Sequence, residues 1–333
     1  MKEFFEKAVE ALSLGALLSE PVQVTGGLTH RMYRFETSCG RFAAKLLNPA
    51  IMQRPTALAN YARADELEDV LKEHHISAVY ALERNGHKLQ MLEGRYFYVY
   101  EWFDGKPLQS GEITGPHCYR MGRALAEIHG IRLQSEASPA ENPWIDWAFY
   151  LRLAEKADRS VYLMLHDALP MLDGCLTKGL AAVCRIPAFT AICHNDMDPK
   201  NVLWAREQYR IIDLECLGEA NPYCELYETA LCWSDCGAFT VDYDRFAALL
   251  RGYFTHSSLS PFVDWEALYT ANIGRLYWLE YNLRRTLRIE CSDEEERCLG
   301  LREVHATLEQ IRHYNRMQDD ILSEIANIFS HFS

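Results

Sequence analysis

Polar and charged side chains are concentrated in the stretch Cys193–Trp204, CHNDMDPKNVLW. Asp196 and Asn201 lie five residues apart, and Asp213 follows twelve residues later in the stretch YRIIDLEC. This set suits phosphoryl transfer, in which one carboxylate accepts a hydroxyl proton while an amide oxygen and a second carboxylate hold Mg²⁺. The spacing alone is weak evidence, because a chain of this length contains it by chance in roughly a few per cent of cases.

The residues around this stretch predict a β-hairpin that would gather the three side chains. The runs NVLWA and YRII are two short strands, joined by Arg206-Glu207-Gln208. The loop from His194 to Asn201 enters the first strand, and Asp213 follows the second. Because antiparallel pairing returns the second strand to the start of the first, we expect Asp213 to lie beside Asn201.

A second candidate region lies near the start of the chain, in TGGLTHRMYRF and FAAKLL. Turn residues separate β-prone runs here and predict a three-stranded meander, with Gly26-Gly27 at the first turn. Lys45 is flanked by Ala44 and Leu46, and a buried ammonium group there would need an anionic partner. The alternative is a lysine at the surface of an edge strand.

The remaining pattern predicts a small sheet region followed by a mainly helical region, an α+β chain. We expect a helix at about 3–13, another at 56–73, and strands near 87–92 and 95–101. From Gly115 onward the apolar spacing is mostly helical. After the helix in HCYRMGRALAEIH, the predicted helices lie near 145–168, 224–234, 242–256, 265–289 and 301–328.

The order of these motifs resembles the aminoglycoside phosphotransferase and choline kinase superfamily, from about Val22 to at least Asn282. The stretches that carry the resemblance are TGGLTHRMYRF, FAAKLL, VYEWFDGKPL, MGRALAEIH, CHNDMDPKNVLW, IIDLEC and NPYCELYETALCWS. The resemblance implies a protein-kinase-like bilobal fold. Residues 1–103 would form a nucleotide-binding lobe with an antiparallel sheet and the hinge, and residues 104–333 a helical lobe for catalysis and substrate binding.

Residue roles follow from this resemblance position by position. Asp196 resembles the catalytic base, and Asn201 and Asp213 resemble the metal ligands. Main-chain groups at Glu101 and Phe103 would hold a purine, and Lys45 would contact the α- and β-phosphates. The full set assigned to nucleotide binding is Lys45, Glu66, Gly26, Gly27, Thr29, Glu101 and Phe103.

Several assignments have two interpretations at this level. Glu66 is the preferred helix acid for orienting Lys45, with Asp65 as its rival. Glu215 would assist the metal shell or form a local salt bridge. Glu280 interrupts an apolar helical stripe, where it would either pair with Arg284 or attract an ammonium group of the substrate. The substrate-side candidates are Glu225, Trp233 and Glu280.

Charge and cysteine content narrow the function classes. The net charge is −13, with 34 basic against 47 acidic residues, which argues against a nucleic-acid partner. An acidic surface suits a cationic ligand, although net negative charge is also common in soluble proteins. The eleven cysteines lack paired metal-binding spacing and are expected to be reduced. The acidic first residues and short apolar runs predict a cytoplasmic location without membrane association.

We therefore expect a kinase that uses Mg²⁺ and ATP, with GTP as an alternative, to phosphorylate a hydroxyl group of a small molecule. The acceptor would be cationic, either aminoglycoside-like or an amino alcohol. The alternatives are a metabolic kinase for choline, ethanolamine or homoserine-like substrates, and a non-catalytic nucleotide-binding relative. The latter should lack one of Lys45, Asp196, Asn201 or Asp213, all of which are present. A protein kinase would show an A-P-E sequence after the metal-binding aspartate. Here GEANPYCELYETALCWS follows Asp213 instead, which favours a small substrate over a protein substrate. Oligomeric state is left open.

Overall fold

The computed structural model describes residues 1–24, 30–132, 143–235 and 240–330. Its contacts divide the chain into two compact units, Met1–Leu108 with Pro199–Gly218 and Gln109–Asp198 with Glu219–Ser333. The boundary predicted between residues 103 and 104 differs from this division. The reason is that the later segment Pro199–Gly218 packs with the first unit, which a single cut in the sequence cannot express.

The first unit contains a five-stranded antiparallel sheet with the order β1-β2-β3-β5-β4. Its strands are β1 (Val22–Val24), β2 (Arg31–Thr37), β3 (Gly40–Leu46), β4 (Gln90–Leu92) and β5 (Arg95–Glu101), and its helices are α1 (Lys2–Ala11), α2 (Pro49–Met52) and α3 (Ala57–Glu73). Side chains alternate between the faces of a strand. Ala44 and Leu46 therefore join the apolar cluster that contains Phe5 of α1. Lys45, opposite Tyr98 in the register, points to the other face.

A second sheet in the same unit has three strands, in the order β6-β8-β9. They are β6 (Lys106–Pro107), β8 (Val202–Ala205) and β9 (Gln208–Ile211). The predicted hairpin is confirmed, with Val202 opposite Ile211 and a turn of two residues rather than three. The Ile211 N–H donates to the Ser77 carbonyl at 2.8 Å and the Ile211 carbonyl accepts from the Val79 N–H at 2.8 Å, so the hairpin is fixed to the first unit.

Helices make up most of the second unit. They are α4 (Gly115–His129), α5 (Trp147–Ala157), α6 (Arg159–Ala182), α7 (Pro222–Trp233), α8 (Tyr243–His256), α9 (Trp265–Ala271), α10 (Gly274–Thr286), α11 (Glu294–Arg316) and α12 (Gln318–Ser330). A short strand β7 (Ala191–Cys193) precedes the CHNDMDPKN loop, and β10 (Gly218–Ala220) precedes α7.

Three of the predicted helices are pairs of helices in the structure. The prediction at 145–168 divides at Asp158, whose side chain accepts from the N–H groups of Ser160 and Val161 and starts α6. The prediction at 265–289 divides between α9 and α10, where Asn272 leaves the helical conformation. The prediction at 301–328 is α11 and α12, and α11 begins earlier because Asp293 caps it.

Two glycines bring α4 and α8 into backbone contact. A Cβ atom on Gly122 would lie 2.0 Å from the Leu249 carbonyl oxygen, and one on Gly252 would lie 2.1 Å from the Tyr119 carbonyl oxygen. Both distances are shorter than any non-bonded contact allows, so only glycine fits at either position. This packing fixes the end of α4 against α8.

Among the helices in the described ranges, none combines the length and the apolar character that a membrane crossing requires.

Candidate active site

The end of the β8–β9 hairpin places two of the predicted site residues together. Asn201 is buried immediately before β8, and its carbonyl oxygen accepts from the Ile212 N–H at 2.9 Å. Asp213 follows with φ of +68°, in the left-handed region that non-glycine residues seldom adopt. Such backbone strain is common at functional sites. One amide and one carboxylate side chain therefore extend from the same end of the hairpin.

Lys45 is buried and pairs with two carboxylates of the segment that follows the hairpin. Its Nζ atom contacts Asp213 directly and lies 2.5 Å from Glu215 Oε2. Burial by itself lowers the pKa of Lys45, but the two carboxylates outweigh burial and raise the pKa above its ordinary value. Lys45 is therefore a fixed cation beside Asp213, not a surface lysine.

Glu215 connects Lys45 to His30. Its Oε1 atom lies 3.0 Å from His30 Nε2, and only 12% of the Glu215 side chain is exposed. Burial raises the pKa of Glu215, but Lys45 and His30 together outweigh burial and lower it. Of the two interpretations of Glu215 from the sequence, the structure shows the salt bridge.

The acids of α3 do not approach Lys45. Glu66 is 66% exposed and accepts from Arg63 at 2.7 Å. Asp65 accepts from the Tyr98 hydroxyl at 3.0 Å, and Glu68 accepts from the Ala81 N–H at 2.8 Å. The structure thus does not bring Glu66 and Lys45 together. The inward face of α3 is set by Tyr61, Ala64, Leu67, Glu68 and Leu71.

In the second unit, the loop that carries Asp196 is held by buried groups. His194 is fully buried, and its Nδ1 atom accepts from the Asp196 N–H at 3.3 Å. Asn195 has φ of +63°, and its N–H donates to Glu225 Oε1 at 2.5 Å. The Met197 carbonyl accepts from Trp233 Nε1 at 2.9 Å. These bonds fix the loop while the Asp196 side chain stays partly exposed.

Glu225 and Trp233 were predicted on the substrate side, and the structure places both in the core. Glu225 Oε2 lies 2.7 Å from His129 Nε2, and His129 Nδ1 lies 2.8 Å from the Tyr253 hydroxyl. Burial raises the pKa of Glu225, but the bonds from His129 and the Asn195 N–H outweigh burial and lower it. In the structure, both residues support the Asp196 loop from below.

Cys193 lies against the same histidine. One ligand atom each from His129, Cys193 and Glu225 lies within 4.8 Å of the others. Burial raises the pKa of the Cys193 thiol well above its ordinary value. Metal coordination needs the thiolate, whereas His129 and Glu225 already bond to each other. We therefore interpret this cluster as a structural hydrogen-bonded group.

Glu228 is a candidate that the sequence interpretation missed. It lies one helical turn after Glu225 on α7 and its side chain is exposed, close to Gly274 at the start of α10. The pKa of Glu228 is raised, first by desolvation from the surrounding protein and then by nearby carboxylates that include Asp196, while Arg275 opposes the rise. The spacing of three residues from Glu225 in ELYE was the available signal.

The other candidates are distributed as follows. Glu280 accepts from the Tyr150 hydroxyl at 2.6 Å, whereas Arg284 pairs with Glu290 at 3.1 Å, so the predicted Glu280–Arg284 pair is not formed. Glu101 ends β5 opposite Phe42, and the Phe103 ring lies near Arg210. Gly26, Gly27 and Thr29 lie outside the described residues.

Comparison with solved structures gives one fold. A spectinomycin phosphotransferase in complex with ADP and spectinomycin matches with a TM-score of 0.69 and 13% identity, over 95% of this chain and 98% of that chain. A Plasmodium vivax ethanolamine kinase matches with 0.59 and 14%, over 90% and 83%. An amicoumacin kinase in complex with AMP-PNP, Ca²⁺ and Ami matches with 0.59 and 13%, over 93% of each chain. At these identities the likeness establishes the fold.

The sequence comparisons add the family. No curated protein sequence matches the chain significantly. The family model described as "Phosphotransferase enzyme family" matches residues 21–267. This match and the kinase neighbours confirm the predicted superfamily, the protein-kinase-like bilobal fold class and the prediction of a small-molecule kinase. The chain belongs to the phosphotransferase enzyme family.

Proposed function

We propose that the protein transfers the γ-phosphoryl group of ATP to a hydroxyl group of a small molecule, with Asp196 as the general base. One observation carries this proposal: the hairpin sets Asn201 and Asp213 at one end, and the fixed cation Lys45 pairs with Asp213. This arrangement supplies a lysine and two oxygen ligands for a nucleotide and its metal. The neighbours in complex with ADP or AMP-PNP support the nucleotide part.

The residues at the hairpin end fit Mg²⁺. The donor set consists of one amide and one carboxylate, which are the hard oxygen ligands that Mg²⁺ prefers. The Asp213 side chain is 29% exposed, and Lys45 contacts its Oδ1 atom. Asn201 and Asp213 would hold the ion, which when bound neutralises charge on the transferred phosphoryl group.

The protein's own groups have distinct tasks in this mechanism. Asp196 accepts the proton of the acceptor hydroxyl, and the bonds to its loop from Glu225 and Trp233 hold it for that purpose. Lys45 carries a permanent positive charge for the α- and β-phosphates, since its pKa is raised. Main-chain groups at Glu101 and Phe103 remain the proposed purine contacts.

The proposed acceptor is cationic. Glu228 offers an exposed carboxylate whose pKa is raised in part by the charge of Asp196. Glu280 offers a second carboxylate, which accepts a hydrogen bond from Tyr150. Carboxylates at an acceptor site attract ammonium groups. The neighbours named for spectinomycin and ethanolamine support the same class. A cytoplasmic location is part of the proposal.

A substrate panel tests this function. Nucleotide consumption would be measured with Mg·ATP or Mg·GTP and with amino alcohols, aminocyclitols and aminoglycosides, and neutral polyols of similar size would serve as the matched set. We expect turnover with at least one cationic acceptor and much less with the neutral set. If none of the acceptors causes nucleotide consumption although Mg·ATP binds in calorimetry, the result would favour a non-catalytic relative. A neutral best substrate would overturn the cationic acceptor alone.

Glu228→Gln separates the acceptor from the nucleotide. We expect the KM for a cationic acceptor to rise several-fold, while the KM for ATP stays within twofold. Glu280→Gln is the companion variant, with a smaller expected rise because Glu280 is already bonded to Tyr150. Equal changes in both KM values would indicate that these glutamates are structural.

A further inference from the structure

We propose that His30 is a positioning residue that orients Lys45 through Glu215 and replaces the helix acid expected on α3. This inference rests on the proposed function, since it assumes that Lys45 serves the nucleotide. His30 lies just before β2, and both its ring and the Lys45 side chain are buried.

The His30 ring is fixed by the backbone on one side. Its Nδ1 atom accepts from the Asn48 N–H at 3.0 Å. Asn48 in turn accepts from the Ala50 N–H at 2.9 Å and starts α2. Because Nδ1 is an acceptor, the ring proton of neutral His30 lies on Nε2. The ring therefore presents an N–H group toward Glu215.

Glu215 divides its two oxygens between its partners. Oε1 lies 3.0 Å from His30 Nε2, and Oε2 lies 2.5 Å from Lys45 Nζ. A bond to Oε1 restrains the carboxylate and thereby the position of Oε2. His30 thus determines where Glu215 holds the lysine. The Tyr61 hydroxyl lies 3.3 Å from the same Nε2 atom of His30.

Glu215 also differs from the other carboxylate at Lys45. Asp213 is assigned to the metal in the proposed function, so its charge would be shared with an ion when nucleotide is bound. Glu215 is only 12% exposed and keeps its histidine. It is the carboxylate that remains committed to Lys45, in the role that Glu66 was predicted to have.

The test compares His30→Phe, which fills the space without a donor, with His30→Gln, which keeps an N–H donor. We expect His30→Phe to raise the KM for Mg·ATP by roughly tenfold, the loss of one hydrogen bond to a charged group. His30→Gln should stay within threefold of wild type, and the acceptor KM should be unchanged in both. Glu66→Gln tests the assignment that His30 would replace, and a tenfold rise in the KM for Mg·ATP in this variant would return the role to Glu66 and overturn the proposal.

A readout without turnover separates this inference from the proposed function. The ¹⁵N-bound protons of the Lys45 ammonium, assigned with Lys45→Met, should be slow to exchange in wild type and His30→Gln and fast in His30→Phe. Unchanged exchange in a folded His30→Phe would overturn the positioning role. No consumption with any acceptor, together with the expected exchange pattern, would instead overturn the function and leave the positioning role standing.

A double variant tests whether His30 acts on Lys45 through Glu215. If His30 acts through Glu215, the losses in Mg·ATP KM from His30→Phe and Glu215→Gln should not add in the double variant. Additive losses would show that His30 acts by another route. A weaker Mg²⁺ dependence in Glu215→Gln alone would place Glu215 in the metal shell and overturn the proposal.

Discussion

Two largely buried glutamates, one in each unit, contact a histidine with one carboxylate oxygen and a second group with the other oxygen. In the first unit, His30 contacts Glu215, which contacts the Lys45 side chain. In the second unit, His129 contacts Glu225, which accepts from the Asn195 N–H. The two groups differ in where they end, at a charged side chain in one and at a peptide group in the other.

This difference separates ligand binding from loop shape. A lysine head can exchange one carboxylate for a phosphate, so the first group stays responsive to a bound nucleotide. A peptide N–H has one direction, and its bond to Glu225 only fixes the left-handed turn at Asn195. We therefore expect variants of the first group to change nucleotide affinity, and variants of the second to change turnover and stability.

Asp196→Asn should give the largest effect. Turnover should fall by ~10² or more, because the amide cannot accept the hydroxyl proton. Mg·ATP affinity in calorimetry should be retained, since Asp196 is not assigned to the nucleotide. Asp198→Asn, two residues away in the same loop, is the matched control and should lose at least tenfold less activity. Similar losses in both variants would remove the distinct role of Asp196.

Lys45→Met should follow. It removes the charge at the end of the first group, and the KM for Mg·ATP should rise roughly 10- to 100-fold, as expected for a lost hydrogen bond between charged groups. Turnover should fall as well, because Lys45 also contacts the phosphates during transfer. Steady-state kinetics at saturating acceptor measure both. An unchanged KM for Mg·ATP would mean that Lys45 only neutralises Asp213 and Glu215.

Glu225→Gln tests the second group in the same way. The variant weakens a charge-assisted bond, so the free energy of unfolding should fall by about 1–2 kcal/mol. Turnover should fall several-fold, because the loop beneath Asp196 loosens, and the KM for Mg·ATP should stay within twofold. Urea unfolding and kinetics measure these quantities. A rise in the nucleotide KM equal to the fall in turnover would erase the contrast between the two groups.

Glu68 sharpens the comparison because it is buried without a histidine. Burial is the main cause that raises its pKa from 4.5 to about 7, and Lys88 at 3.5 Å only partly opposes it. Between pH 4.5 and 7 the folded state then binds more protons than the unfolded state, so stability falls as the pH rises through this window.

Glu68→Gln should remove this dependence. From pH 5 to 7.5, wild type should lose on the order of 1 kcal/mol more unfolding free energy than the variant, as linkage requires. Urea unfolding across this range is the measurement. Parallel pH profiles for the two proteins would show that Lys88 keeps Glu68 ionised, as His129 does for Glu225.

Local features of the site were predictable from the sequence, and long-range partners were not. The hairpin that joins Asn201 to Asp213 followed from two β-prone runs with a short turn, since both strands are adjacent in the chain. The partner of Lys45 did not follow, because the side of α3 that carries Glu66 depends on how the helix packs. The pairing of Glu225 with His129 was not predictable either, because the two residues lie 96 positions apart in the sequence.

Some errors came from signals that were present. Asp158 and Asp293 precede helices in the structure and cap them, and aspartate is among the preferred residues at that position. Apolar periodicity alone ran through Asp158 and missed the start at Asp293. The domain boundary between residues 103 and 104 stays a prediction, and the structure adds that Pro199–Gly218 joins the first unit by strand pairing.

The glycine contact between α4 and α8 limits how this protein could be redesigned. Gly122 and Gly252 place backbone against backbone, and the same pair of helices sets the distance from His129 to Tyr253. Neither glycine can be replaced by a larger residue without moving the two backbones apart. A redesign should therefore leave the contact between α4 and α8 untouched and vary exposed side chains instead, such as Glu228 of α7, which we propose for the acceptor.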